Sequence, residues 1–217
     1  MENIDTIHDF WFGQPARDPE TLLGKFQRWY VGGAAIDHEI RTRFSGLIER
    51  ALSGQLSDWA TEPRGRLALI LLLDQFTRNV FRGMPRAYAG DPAALELALS
   101  MIDSGSHRAF EPEQRLFCIM PLVHSENLAL HERAVALAHE LALGAPEVLR
   151  GQWQVGAQRT EHYRETIARF GRFPHRNEVL GRESTAEELA FLDEEARRAP
   201  PLAAAAAQVQ QRVSGAL

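Results

Sequence analysis

The sequence predicts an all-α protein, and three observations predict it. Apolar residues recur at helical spacing along most of the chain, glycines and prolines stand between those stretches, and no run alternates apolar with polar residues between hairpin turns. The short connections predict antiparallel hairpins of successive helices, stacked as a right-handed superhelix or as an irregular bundle.

Ile4, Ile7, Phe10 and Trp11 mark the first helix, which Gly13 stops ahead of a loop carrying Pro15 and Pro19. Asp18 caps the second, whose stripe of Leu22, Leu23, Phe26, Trp29 and Tyr30 closes at Gly32 and Gly33. The third carries Ile36, Ile40, Phe44, Leu47, Ile48 and Ala51 on one face and ends at Gly54. Pro63 opens the fourth, which is wholly apolar over 67–73, turns polar at Asp74 and reaches Arg82. Asp91 reads as an N-cap with Pro92 at N1, opening a helix to about Ser104. One long helix is predicted over 112–143, bent at Pro121, and another over 146–170, ended by Gly171. Ser184 or Thr185 caps a short last helix through Leu189, Phe191 and Leu192. Pro200 and Pro201 separate an Ala-rich tail, 200–217, from a single domain over 1–199. The 34-residue tetratricopeptide period does not recur, so any solenoid character is not written as sequence repeats.

Composition narrows the partners. A chain of 217 residues, 45% apolar, can bury a sizeable core. A net charge of −5 and a pI near 5.9 supply no basic field, so neither nucleic acid nor an anionic membrane is expected. All but Lys25 of the 24 basic residues are arginine, a bias that fits genomic base composition as well as any recognition task. Cys118 is the sole cysteine, which excludes an internal disulfide and suits a reducing cytoplasm. No secretory signal is expected at 1–13, and the apolar run 67–73 falls far short of the roughly 18 to 20 residues that span a bilayer.

Three polar clusters carry the candidate chemistry. On a helical wheel Leu67 and Leu71 share a sector with Asp74, Arg78 and Arg82, flanked by Gln75 and Asn79. A buried face that turns charged must satisfy those charges locally, and Asp74 with Arg78 is the natural pair. An ion-paired helix end and the floor of a pocket both fit this pattern. The second cluster follows the long helix: Arg169, Phe170, Gly171, Arg172, Phe173, Pro174, His175, Arg176 and Asn177. Residues 169–182 hold four arginines and one glutamate, while 183–195 hold six acids and no base. That contrast predicts an electrostatic clamp between segments, and arginine forks beside Asn177 equally suit a carboxylate or phosphate. The third is Met120, Pro121, Leu122, Val123, His124, Ser125 and Glu126. His124 and Glu126 suit acid/base work, but two residues apart on a helix they point about 200° from each other and need separate partners. His162, three residues before Glu165, is similarly ambiguous, and no paired metal-ligand or Gly-rich phosphate motif is present.

Taken together, these segments resemble a bacterial family of uncharacterised, tetratricopeptide-like helical proteins. The resemblance rests on Leu71-Leu72-Leu73-Asp74-Gln75-Phe76-Thr77-Arg78-Asn79-Val80-Phe81-Arg82-Gly83, on the third cluster, and on 169–177 followed by Leu180-Gly181-Arg182 and Ser184-Thr185. It takes in Phe10-Trp11-Phe12-Gly13 and extends to about residue 195. Thr77 stands where the family more usually has proline, a change expected to straighten the polar helix. The resemblance implies an α-α superhelical fold and a cytoplasmic setting and brings no reaction.

The expectation is one concave site for a small anionic ligand or a peptide carboxylate. Arg78, Arg82, Arg172 and Arg176 would supply charge, Asn79, Asn177 and His175 would orient the ligand, and Asp74 would hold an arginine. Two alternatives stand beside it. One is an enzyme with Asp74 or Glu126 as base and His124, His162 or His175 as acid or metal ligand. The other is a protein-interaction scaffold whose polar clusters only lock helices together.

Overall fold

A computed structural model describes residues 2–197, which form nine helices and no strand. They are α1 (Ile4–Phe12), α2 (Pro19–Val31), α3 (Gly33–Leu52), α4 (63–80), α5 (Asp91–Asp103), α6 (Pro112–His124), α7 (Leu128–Gly144), α8 (Glu147–Phe170) and α9 (Ala186–Arg197). The Ala-rich tail expected at 200–217 lies outside the described residues. No helix among them is long and apolar enough to cross a membrane.

The expected punctuation is used. The Asp18 carboxylate accepts the Thr21 amide at 2.8 Å, and Gly13 and Gly171 end α1 and α8 at φ 57° and 67°, a region only glycine enters cheaply. Thr185, rather than Ser184, caps α9: its amide donates to Glu188 and its hydroxyl accepts the Glu188 amide, a closed capping box.

Three expectations need correction. The helix predicted over 112–143 is two, α6 and α7, broken at 125–127. Asn127 makes the break, because its side-chain oxygen accepts the amides of Ala129 and Leu130 and starts a new helix, whereas Pro121 sits inside α6. Asp91 is the first residue of α5 rather than its cap; Gly90 holds the cap position, where a Cβ would collide with the Leu73 carbonyl. Lastly, α4 stops at Val80, short of Arg82, and is not one uniform helix. It begins as Pro63–Ile70, widens into a π-helical turn over Leu71–Phe76 and ends as Thr77–Val80.

Aromatic rings fill the centre. Trp11, Phe44, Phe76 and Phe117 are completely or almost completely buried, with Phe117 edge-on to Trp11 at 5.5 Å and to Trp29 at 4.9 Å. Burying each such ring stabilises the fold by roughly 2 to 3 kcal/mol. Each of α4 to α8 packs against the next, and α8 also returns to α2. That return sets the Arg159 and Tyr163 side of α8 opposite Trp29 and Tyr30, and the space between them is the site.

Candidate functional site

The wide turn in α4 carries Asp74. An extra residue in the turn shifts register, and the Thr77 hydroxyl donates to the Leu73 carbonyl at 2.8 Å. Asp74 is fully buried, so its carboxylate must be met by partners. Its Oδ2 accepts the Gln75 amide at 2.5 Å, and its Oδ1 faces Arg78 at 3.1 Å and His124 Nδ1, from the last turn of α6, at 2.7 Å. Burial alone would raise this carboxyl, but Arg78 and His124 outweigh it and hold it well below the usual range. His124 moves down as well: burial and the Arg78 guanidinium disfavour its cation more than Asp74 favours it. An ionised carboxylate beside a neutral imidazole fixes the tautomer, with the proton on Nδ1 and the lone pair on Nε2.

Arg78 is fully engaged. It donates to the Asp74 carbonyl at 2.6 Å and forks onto both Asp91 oxygens at 2.8 and 2.9 Å. Arg176, from the Pro174–Arg176 turn, is 6% exposed yet donates no side-chain hydrogen bond among the described residues. Its guanidinium lies between Tyr88 at 4.9 Å and Phe173 at 4.5 Å and reaches Asp91 only at 3.9 Å. Burial, then Arg78, pull its pKa below the ordinary arginine value. Asp37, on α3, accepts Asn79 at 2.7 Å and both arms of Arg82 at 2.9 Å.

Of these groups Gln75, Arg78, Asn79, Arg82 and His124 line a cavity of about 350 Å³ between α2, α4, α6 and α8. Phe26, Trp29, Tyr30, Trp153 and Tyr163 form its walls, and Arg28, Arg78, Arg82 and Arg159 its charged lining, with no Asp or Glu among the residues that line it. Arg159 donates to the Tyr163 hydroxyl at 2.9 Å and stacks over Tyr30 at 4.9 Å, with no carboxylate in ion-pair range among the described residues. A second hollow shares Arg78, Arg82, His124, Arg159 and Tyr163 with the first and adds His175 and Arg176 to its lining. His175 is exposed, and desolvation by the groups packed near it, then the Arg176 charge, push its pKa down to about 4.

The structure brings together Asp74, His124, Arg78, Asn79, Arg82, His175 and Arg176 from the three clusters. It places the others elsewhere. Arg172 forks onto Glu188 at 2.7 and 2.8 Å and donates to the Glu183 carbonyl. Glu126 accepts the Phe173 amide at 2.9 Å and both arms of Arg182, fastening the turn to the end of α6. Asn177 is buried against Ser184, and His162 faces Glu195 at 2.9 Å. Cys118 is buried, which pushes its thiol up to about 12 and leaves it inert. Among the described residues no three His, Cys, Asp or Glu side chains gather to hold a metal ion.

Sequence reasoning missed Arg159, Asp91, Asp37 and the aromatic walls. The i,i+4 spacing of Arg159 and Tyr163 was a usable signal for the first; the two aspartates carried none, since their partners come from other helices.

Comparison with known proteins agrees with the fold and adds no chemistry. Residues 7–196 match a family described as "Bacterial protein of unknown function (DUF924)". A solved structure, that of a protein of unknown function, ATU0120, from Agrobacterium tumefaciens, is 34% identical, with a TM-score of 0.67 over 82% of this chain and 99% of that one. No curated protein matches.

Proposed function

The chain belongs to that family of bacterial proteins of unknown function, and we propose that its cavity binds a small organic anion with an apolar, flat body, the terminal carboxylate of a peptide included. One observation carries this reading. An aromatic-walled cavity of small-molecule size has four guanidinium groups in its lining and no acid, and two of them, Arg28 and Arg159, have no carboxylate of their own among the described residues. A buried or half-buried guanidinium without a counter-ion is costly, and an incoming carboxylate or phosphate relieves that cost bidentately. Arg176, in the adjoining hollow, adds a further cation whose nearest carboxylate is at 3.9 Å. The apolar body would lie against Trp29 and Trp153. A cytoplasmic setting and tetratricopeptide-like stacking of the hairpins belong to the same proposal, supported by the lone buried Cys118 and by the packing of successive helices.

Calorimetry and thermal shift with aryl carboxylates, aryl phosphates and a neutral aryl amide test it. Anions are expected to stabilise the fold, and the amide is not. Arg159→Ala and Arg176→Ala should each weaken anion binding roughly 10-fold to 100-fold, the worth of a charged hydrogen bond. Equal responses to anion and amide, or unchanged affinity in both variants, would overturn the proposal.

A further inference from the structure

We propose that this cavity is also an active site in which His124 Nε2, held by Asp74, acts as general base on water to hydrolyse a carboxylic ester whose substrate carries a negative charge. The proposal rests on the anion-binding reading above and adds the reaction.

The geometry is that of an oriented imidazole. Gln75 and Arg78 fix the Asp74 carboxylate, which in turn fixes the ring through Nδ1 at 2.7 Å. The opposite nitrogen makes no hydrogen bond among the described residues, and the ring lines both hollows. Arg159 lines the same two hollows with terminal nitrogens that meet no carboxylate. No serine or cysteine lines either hollow, and the Thr160 hydroxyl is engaged with the Gly156 carbonyl at 3.1 Å, so the nucleophile is water. The carboxylate that orients the base sits on the π-helical turn, an element that recurs at functional sites.

The step balances without an outside reagent. His124 Nε2 takes a proton from water as the oxygen bonds to the acyl carbon, and the carbonyl electron pair moves to an oxyanion facing Arg159. Asp74 stabilises the transient imidazolium. When the tetrahedral adduct collapses, the acyl–oxygen bond breaks and Nε2 returns its proton to the departing alkoxide. Ester and water give acid and alcohol.

The charged and titratable groups around the ring are Asp74 and Arg78 on α4, His131 on α7, Arg159 and Tyr163 on α8, and His175 and Arg176 on the turn. Of these His131 is tied to the Ser125 carbonyl through Nε2 and lies outside both hollows, and His175 is pushed down to about 4, so the ionisation of the ring inside the site, that of His124, is expected to govern the rate.

The probe is the mono-4-nitrophenyl ester of glutaric acid, which carries a carboxylate and an aromatic leaving group. The wild type should release nitrophenolate about 100-fold to 10,000-fold faster than His124→Gln, the usual worth of a positioned base. Its rate should rise with pH through a single ionisation and then level. His124→Gln should keep its affinity for an aryl carboxylate, which a merely structural His124 would not predict alongside lost turnover. Equal rates in the two proteins, or a flat profile between pH 4 and 8 should the variant not fold, overturn the reaction. Anion binding without turnover sinks this inference alone, and absence of both sinks the binding proposal too.

Discussion

Two regions of the molecule use the same residue types to opposite ends. Where the turn after α8 meets α9, three arginines each have an acid: Arg172 has Glu188, Arg169 has Glu187, and Arg182 has Glu126. Around the cavity, Asp74 has three partners, whereas Arg159 has no carboxylate and Arg176 only a distant one. The first region is a fastener, and the charges cancel where they touch. The second is a fastener on one side and an open set of donors on the other. Arginine content does not separate a site from a staple; what the guanidinium groups are already bonded to does.

The comparison breaks most visibly at Asp74. Asp74→Ala removes a fully buried carboxylate and leaves His124 and Gln75 without their partner, although Arg78 keeps Asp91. Removing one member of a buried pair costs about 3 kcal/mol or more, readable as a lowered urea midpoint. If Asp74→Ala unfolds at the wild-type midpoint, the carboxylate is no keystone and the contrast drawn above collapses.

Acid sharpens the same contrast. His124 has a folded-state pKa below the unfolded value near 6.5, so the unfolded chain binds more protons in that window. Stability from this ring is whole above about pH 6.5 and is lost as pH falls through its lower folded-state pKa. The fastener carboxylates are also depressed, Glu188 to about 2 through Arg172 and the Thr185 amide, and Glu126 by Arg182 against its own burial. Their contribution is whole above roughly pH 4.5 and lost only below it. Between pH 6.5 and 4.5, amide hydrogen exchange should therefore quicken in α6 while α9 holds. Simultaneous loosening of both would show that the two regions do not differ in this way.

The readable and unreadable parts of this protein divide on a physical line. The helices, their caps at Asp18 and Gly171, and the Asp74 with Arg78 pair depend on neighbours within a turn or two, so spacing alone exposes them. The break at Asn127 was also local, but a proline inside the stretch is a louder signal than a capping asparagine. The π-helical turn has no such mark, because what holds it is Thr77 bonding back to Leu73 and Gly90 pressing on the Leu73 carbonyl, a contact between helices. Arg159 was passed over because its importance lies in lacking a counter-ion. That lack is decided by α8 packing on α2, not by anything adjacent in the chain.

The smallest expected effect is the most direct check on the division. Arg172 was expected on sequence grounds to hold the ligand, yet both of its donor arms reach Glu188 and the Glu183 carbonyl, and it lines neither hollow. Arg172 is 30% exposed although Glu188 is buried, which keeps the pair's contribution to stability modest. Arg172→Ala should thus lower the melting temperature slightly, by loosening α9, and leave the calorimetric affinity for an aryl carboxylate within about 2-fold, inside the scatter expected of distant sites. Arg159→Ala should do the reverse, shifting affinity strongly and melting little. An Arg172→Ala protein that loses the ligand would place the acid-binding donors in the turn rather than on α8, and the cavity would have to be redrawn around Glu188.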